Sequence, residues 1–397
     1  MPLLYKYPLT FNDFCEKDIN DITLLFKEGN LTSGRVTKEY EILLASYFGS
    51  KFAIAVNSGS SANLLMLAAL LYSNDANYSL CKGDEVLVPA VSWITTYSPI
   101  LQLGLVPKIV DVDDKTFNIS PDALKSSITS KTKCVFAVNL LGEPCEFDEI
   151  IKICDDNNLL LLEDNCESMG AKYKDKYSGT IGLMSSQSTY MSHHISTIEG
   201  GFILTDNEYL KDILISLRSH GWARGASEES RFYKDACKGY LNRDLPDDFL
   251  FLLPGFNLRT TEINSKLGIN HLPKLDEYVK SRRSLSLSFK KILEKFKEYF
   301  YSQYSYSYSS CFGFAIISRR NNDLSILKQS LEENGFQTRP IVTGNIMRHP
   351  VSRYFPKQKL LLQNADLIHN QGLFIGNHFR CHKDAIDSFS QSLNVFK

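Results

Sequence analysis

Apolar and polar positions alternate between two periods along residues 50–220. Short runs rich in aliphatic and β-branched side chains at Glu85–Pro89, Lys108–Val112, Cys134–Leu141, Leu159–Glu163 and Phe202–Thr205 read as strands. Between them, Ser61–Tyr72, Pro121–Ile128, Phe147–Asn157 and Asn207–Arg218 repeat their apolar residues as helices do. Strand, helix, strand in repetition predicts an α/β fold built on a mostly parallel sheet covered on both faces. Ligands gather at the carboxyl ends of such strands, so the loops that follow these runs are where chemistry is expected.

The pattern changes after Arg224. Residues 225–249 are charged and contain Gly and Ser, then a long helical pattern runs over Thr261–Phe300 with a break or kink expected at Pro273. The Tyr/Ser-rich stretch 301–310 reads as a strand with alternate tyrosines half buried, or else as an aromatic ligand platform. The remainder, to Lys397, has the size of a second, smaller α/β domain. The predicted division is therefore 1–255 and 256–397.

Composition narrows the function classes. The chain has 397 residues with 44 Lys+Arg against 45 Asp+Glu, and a net charge of −1 offers no surplus of positive charge for a nucleic-acid backbone. The longest apolar stretch, Leu64–Tyr72, is about half of the ~18 residues that a membrane span requires. The N-terminal residues lack the order of a signal peptide. Nine scattered cysteines without a C-x-x-C pair predict a reducing, cytoplasmic setting and neither a zinc nor an iron–sulfur site.

Four groups of residues offer chemistry, each with a plainer alternative. Ser58-Gly59-Ser60-Ser61 ahead of an apolar helix suits a phosphate at a helix start, or is an ordinary capping turn. Asp164 and Glu167 follow a buried strand, as counter-ion to a cationic group or as caps of the next turn. His193 and His194 sit in a hydroxyl-rich loop closed by Gly200-Gly201, for proton transfer or as solvated residues. Trp93, Trp222, His220, Asn257, Arg259 and Arg339 complete the set, with core packing or surface ion pairs as the alternative.

Taken in register, these pieces resemble the DegT/DnrJ/EryC1/StrS sugar aminotransferase family of pyridoxal-phosphate enzymes. The segments that carry the resemblance are residues 88–97 (VPAVSWITTY), 139–142 (NLLG), 161–171 (LLEDNCESMGA), 192–195 (SHHI) with 199–201 (EGG), and 339–345 (RPIVTGN). It spans Thr32 to His378. It implies fold type I, like aspartate aminotransferase: a large domain with a mostly parallel seven-stranded sheet and a smaller C-terminal α/β domain, acting as a homodimer.

The family's cofactor-binding lysine lies five residues after a phosphate-binding serine and six before the Glu of Glu-Gly-Gly. Counting from Ser188 and from Glu199, both fall on His193, and no lysine occurs between Lys176 and Lys211. Imidazole cannot make the covalent link that lysine makes. The resemblance thus points to a subgroup of sugar 3-dehydratases that hold pyridoxal 5'-phosphate (PLP) and its pyridoxamine form (PMP) non-covalently. They act on nucleotide-linked 4-keto-6-deoxy sugars, here with GDP-linked 4-keto-6-deoxymannose expected, and recover the amine from L-glutamate. A CDP-sugar subgroup with the same histidine also needs a cysteine-ligated cluster and a reductase. Cys237 is the one cysteine between Trp222 and the small domain, too few thiolates for that.

By the same resemblance Gly59, Ser60, Ser61 and Ser188 would hold the cofactor phosphate, with Asn257 entering from a neighbouring subunit. Trp93 would stack on the ring, Asp164 would hold the ring nitrogen protonated, and Glu167 would stand near the ring hydroxyl or amine. Arg259 or Arg339 would clamp the glutamate carboxylate. His193 would move protons, tuned by His220, with His194 its competitor for that role. A nucleotide-sugar 4-aminotransferase and a non-catalytic cofactor-binding regulator remain the alternatives.

Overall fold

The computed structural model describes residues 5–11, 13–239, 249–305, 308–358, 361–378, 380 and 383–397. In chain order its strands are β1 (Phe52–Val56), β2 (Glu85–Pro89), β3 (Val106–Val110), β4 (Thr132–Val138), β5 (Leu160–Asp164), β6 (Lys172–Tyr173), β7 (Lys176–Tyr177), β8 (Met184–Ser188), β9 (Gly201–Thr205), β10 (Phe300–Ser302), β11 (Gly313–Ser318), β12 (Thr338–Arg339) and β13 (Gly372–Gly376). Seven of them form one sheet in the order β1-β9-β8-β5-β4-β2-β3. Every neighbouring pair is parallel except those made by β9, which runs antiparallel to both β1 and β8.

Both faces of this sheet are covered. Along β4, Cys134, Phe136 and Val138 join one apolar cluster while Val135 and Ala137 join another, the alternation of a strand buried on two sides. The helix Gly59–Leu71 is apolar on nearly every side and correspondingly buried, with Leu65 through Leu70 all inaccessible to solvent. It starts sharply because Ser58 Oγ accepts the Ser61 amide at 3.0 Å. This places the helix start directly after β1, at the carboxyl end of the sheet.

A second sheet, β10-β11-β13-β12, is antiparallel throughout. The helical pattern of 261–300 breaks at the expected proline: the helix Glu262–His271 gives way to a 3-10 turn at Leu272–Lys274, and a 19-residue helix, Leu275–Leu293, follows. Its first turns pack Leu275, Tyr278 and Val279 against Ala53, Ala55, Phe202 and Leu204 of the large sheet. Farther along, Leu285, Phe289 and Leu293 pack with Phe314 and Ile316 of the second sheet.

The structure departs from the sequence reading at several places. The Tyr/Ser stretch is a strand only as far as Ser302; beyond it, among the described residues, the backbone bonds to the loop after β3, Tyr304 N–H to Lys115 O at 2.8 Å, and to β6, Tyr308 N–H to Lys172 O at 3.0 Å. Tyr304 and Tyr308 are 47% and 41% exposed, about half buried but off the strand, and Tyr306 lies outside the described residues. Strand β4 stops at Val138, not Leu141, because Leu140–Gly142 turns with Leu141 and Gly142 at φ 53° and 98°. Strand β3 lies two residues earlier than expected. Part of the charged segment after Gly225, residues 240–248, lies outside the described residues, as does Cys381. Among the described residues no helix is long and apolar enough to cross a membrane, and no group of three or more His, Cys, Asp and Glu side chains is arranged to hold a metal ion.

Candidate active site

A cavity of about 560 Å³ opens at the carboxyl ends of the parallel strands. The loop after each strand delivers residues to it: Ser58, Gly59 and Ser60 after β1, Trp93 after β2, Asp164, Cys166 and Glu167 after β5, and Ser188 with residues 190–193 from β8 onward. Phe312 and Arg339 close it from the second sheet's side.

One corner is built for an anion. The Gly59 and Ser60 amides are the first two of their helix and precede any intrahelical acceptor. A Cβ on Gly59 would lie 2.7 Å from Cys166 Sγ and 2.8 Å from Ser188 Cβ, so only glycine lets the helix start sit this close to β8. Ser61 is not part of the lining; its side chain accepts from Ser58 Oγ at 2.9 Å within the cap.

Asp164 and Glu163 end β5 and point to opposite faces of the sheet, as consecutive strand residues must. Asp164 Oδ2 accepts from Asn63 Nδ2 and Thr96 Oγ1, both at 2.8 Å, and Oδ1 from the Cys166 amide at 3.2 Å and Ser186 Oγ at 3.4 Å. These donors are all neutral, so a 6%-exposed carboxylate reaches the cavity with its charge unbalanced. A cationic ring nitrogen in the cavity would balance it. Trp93, 55% exposed at the N-terminus of the helix Ile94–Gln102, stands free at the same cavity.

Glu163 is scaffold. Its carboxylate accepts from the Gly179, Ile181 and Gly182 amides at 2.6–2.8 Å and from Asn139 Nδ2 at 3.1 Å, fixing the loop that leads into β8. Glu163→Ala strands one buried and two partly buried amides and is expected to lower the unfolding free energy by about 3 kcal/mol. Urea unfolding followed by circular dichroism reads this, and an unchanged midpoint would contradict the role.

Two titratable groups of unlike character face the cavity. Burial pushes the Glu167 carboxyl up to about 7, helped by the nearby Asp164 charge and opposed by the Leu141 amide, which donates to Glu167 Oε2 at 3.0 Å. Burial, with the positive charge of Arg282, pulls His193 down to about 4. At pH 7 His193 is therefore neutral and able to accept a proton. His194 is buried away from the cavity, its Nε2 donating to the Ser310 carbonyl at 3.2 Å.

His220, Asn257 and Arg259 lie outside this lining but together. Arg259 approaches His220 Nε2 at 3.3 Å, donates to Asn257 Oδ1 at 3.3 Å and lies 5.9 Å over the Trp222 ring. Asn63 and Thr96, the donors that hold Asp164, were absent from the sequence reading. A signal existed for Asn63, which follows Gly59 by one helical turn and so shares its cavity-facing side. Nothing local marks Phe312.

The family model described as the DegT/DnrJ/EryC1/StrS aminotransferase family matches residues 12–394. The chain is 41% identical over 99% of its length, and 98% of the other's, to the GDP-4-keto-6-deoxy-D-mannose 3-dehydratase of Yersinia pseudotuberculosis. A solved GDP-4-keto-6-deoxymannose 3-dehydratase with a trapped PLP–glutamate geminal diamine superposes with a TM-score of 0.91 at 40% identity, covering 98% of this chain and 100% of that one. A histidine variant of that enzyme with bound GDP-perosamine gives 0.90 at the same identity and coverage. The fold is that of these PLP-dependent enzymes, and the chain belongs to the DegT/DnrJ/EryC1/StrS aminotransferase family.

Proposed function

We propose that this protein is a PMP-dependent 3-dehydratase of GDP-linked 4-keto-6-deoxymannose that recovers its amine from L-glutamate. The observation that carries the proposal is the cavity lining itself: among the described residues it contains His193 and no lysine, while the anion corner, the unbalanced Asp164 and the exposed Trp93 suit the cofactor. The relatives' substrate and glutamate adduct support the same reading.

When bound, PMP supplies an amine and an electron sink that weaken bonds next to the sugar's C4 carbonyl. Gly59, Ser60 and Ser188 would bind its phosphate, Trp93 would stack on its ring, and Asp164 would keep the ring nitrogen protonated. Glu167, raised to about 7, is a hydrogen-bond donor below that pH and an acceptor above it. His193 would enter neutral, take at a ring nitrogen the proton given up when the C–H bond of the amine-bearing carbon breaks, and return it to the oxygen that leaves C3 as water when the C3–O bond breaks. Arg339, at the cavity, is the available clamp for the glutamate carboxylate.

The cluster of His220, Asn257 and Arg259, assembled yet outside its own chain's cavity, supports a homodimer in which one chain completes its partner's site. The division into 1–255 and 256–397 belongs to the same reading, supported by the two separate sheets. Incubation with PLP, L-glutamate and the GDP-linked ketosugar is expected to release ammonia in step with a 4-keto-3,6-dideoxy product. A stable amino sugar without ammonia would identify an aminotransferase instead.

A further inference from the structure

Residues 309–312 run between the Tyr/Ser stretch and β11 without strand pairing, yet their backbone is tied down almost completely. The four carbonyls accept, in order, from Arg283 Nη1 at 2.7 Å, His194 Nε2 at 3.2 Å, Asn377 Nδ2 at 2.7 Å and Arg282 Nη1 at 3.0 Å. The amide of Ser310 donates to Gly142 O at 2.9 Å and that of Phe312 to Leu141 O at 3.0 Å. Irregular backbone held by so many specific side chains is fixed in place. It also holds Cys311 at φ 50°, a conformation that side-chain-bearing residues seldom adopt.

What this segment presents to the cavity is the Phe312 ring, 5.2 Å from the His193 ring and 5.7 Å from that of His194. The two histidines are held differently. His194 is hydrogen-bonded to the segment through Nε2, whereas among the described residues His193 Nδ1, like His194 Nδ1, is buried with no hydrogen-bond partner. Its other aromatic neighbour is Tyr190, edge-on at 6.3 Å. A histidine that moves protons is ordinarily oriented by a hydrogen bond to its second nitrogen; here the orientation must come from packing.

We infer that Phe312 is a positioning residue for His193, its ring serving as the wall that orients the imidazole where most proton-transferring histidines have a carboxylate or carbonyl. The inference rests on the reading of His193 as the base. The segment also ties the two titratable groups together: Leu141 donates its amide to Glu167 and accepts the Phe312 amide through its carbonyl.

The charged and titratable groups around His193 are Arg282 from the Leu275–Leu293 helix, His194, Tyr190 and, at the cavity, Asp164, Glu167, Glu199 and Arg339. Phe312 is uncharged, so replacing it alters water access and orientation without altering charge. The test uses the full-length protein as Phe312→Leu and Phe312→Tyr. His193 is titrated by nitrogen-15 NMR in the cofactor-free protein, and the pH profile of kcat/KM is measured in the loaded enzyme.

In Phe312→Leu the His193 midpoint is expected to rise by about one unit or more toward its ordinary value, and the acid limb of the profile to move with it. Phe312→Tyr restores both, even where KM changes. Should the leucine variant fold poorly, Phe312→Met, closer in volume, gives the same readout. An unchanged midpoint and limb in the leucine or methionine variant overturns the inference, as does a tyrosine variant shifted equally far. The NMR midpoint needs no turnover, so a product assay that yields an amino sugar removes the dehydratase reading while leaving this result to stand or fall separately.

Discussion

His193→Asn is expected to slow dehydration by about 10²- to 10⁴-fold, the range a positioned proton-transfer group contributes. Asparagine keeps the volume and polarity of the site but has no nitrogen that accepts a proton near neutral pH. The anion corner, Trp93 and Asp164 are untouched, so cofactor affinity, read from quenching of tryptophan fluorescence, is expected to stay within a few-fold. A loss confined to the rate, with binding retained, separates proton transfer from structural damage. Dehydration persisting undiminished would remove His193 from the reaction. His193→Lys provides the complementary result: a cofactor link that borohydride fixes, accompanied by loss of dehydration.

Asp164→Asn carries the second large effect. The carboxylate accepts from Asn63, Thr96, Ser186 and the Cys166 amide, so an amide in its place turns a donor toward donors and removes the charge that would face a protonated ring nitrogen. Removing one partner of a buried charge pair costs about 3–5 kcal/mol, which is a loss of roughly two to three and a half orders of magnitude in cofactor affinity. Equilibrium dialysis measures it. In the cofactor-free chain the hydrogen-bond donors to Asp164 among the described residues are all neutral, so the same substitution is expected to shift the thermal midpoint by only a few degrees. Equal affinity in the variant and the unmodified chain would mean that Asp164 does not meet the ring.

The parts of this site that were legible in the sequence are those whose local pattern is also their tertiary role. Four leucines followed by Glu163 and Asp164 announce a buried strand and the chemistry at its end, and the helix Phe147–Asn157 has the bounds its periodicity predicts. The position of His193 followed from counting between two anchors. Strand β8 was illegible because four of its five residues are polar. Ser185, Ser186, Gln187 and Ser188 are all buried, and Ser186 and Gln187 bond to partners distant in sequence, Asp164 and Asn165. Phe312 reads as one aromatic among many, because its meaning lies in residues 282, 283 and 377, which hold the carbonyls of residues 312, 309 and 311. The proposed role of the His220, Asn257 and Arg259 cluster in a partner's cavity would be a property of two chains, and no pattern within one encodes it.

The helix Leu275–Leu293 carries a consequence for how the molecule comes apart. Its first turns belong to the core against the large sheet and its later turns to the core of the second sheet. Arg282 and Arg283, which grip residues 309–312, lie between. Ala315 and Ile317 of β11 also share a cluster with Phe136 and Ile203 of the large sheet. Neither sheet can melt without exposing apolar surface of the other, which couples the two in unfolding. Heat inactivation should then follow global unfolding in a single calorimetric transition, with no temperature at which an intact large sheet survives beside a disordered Phe312.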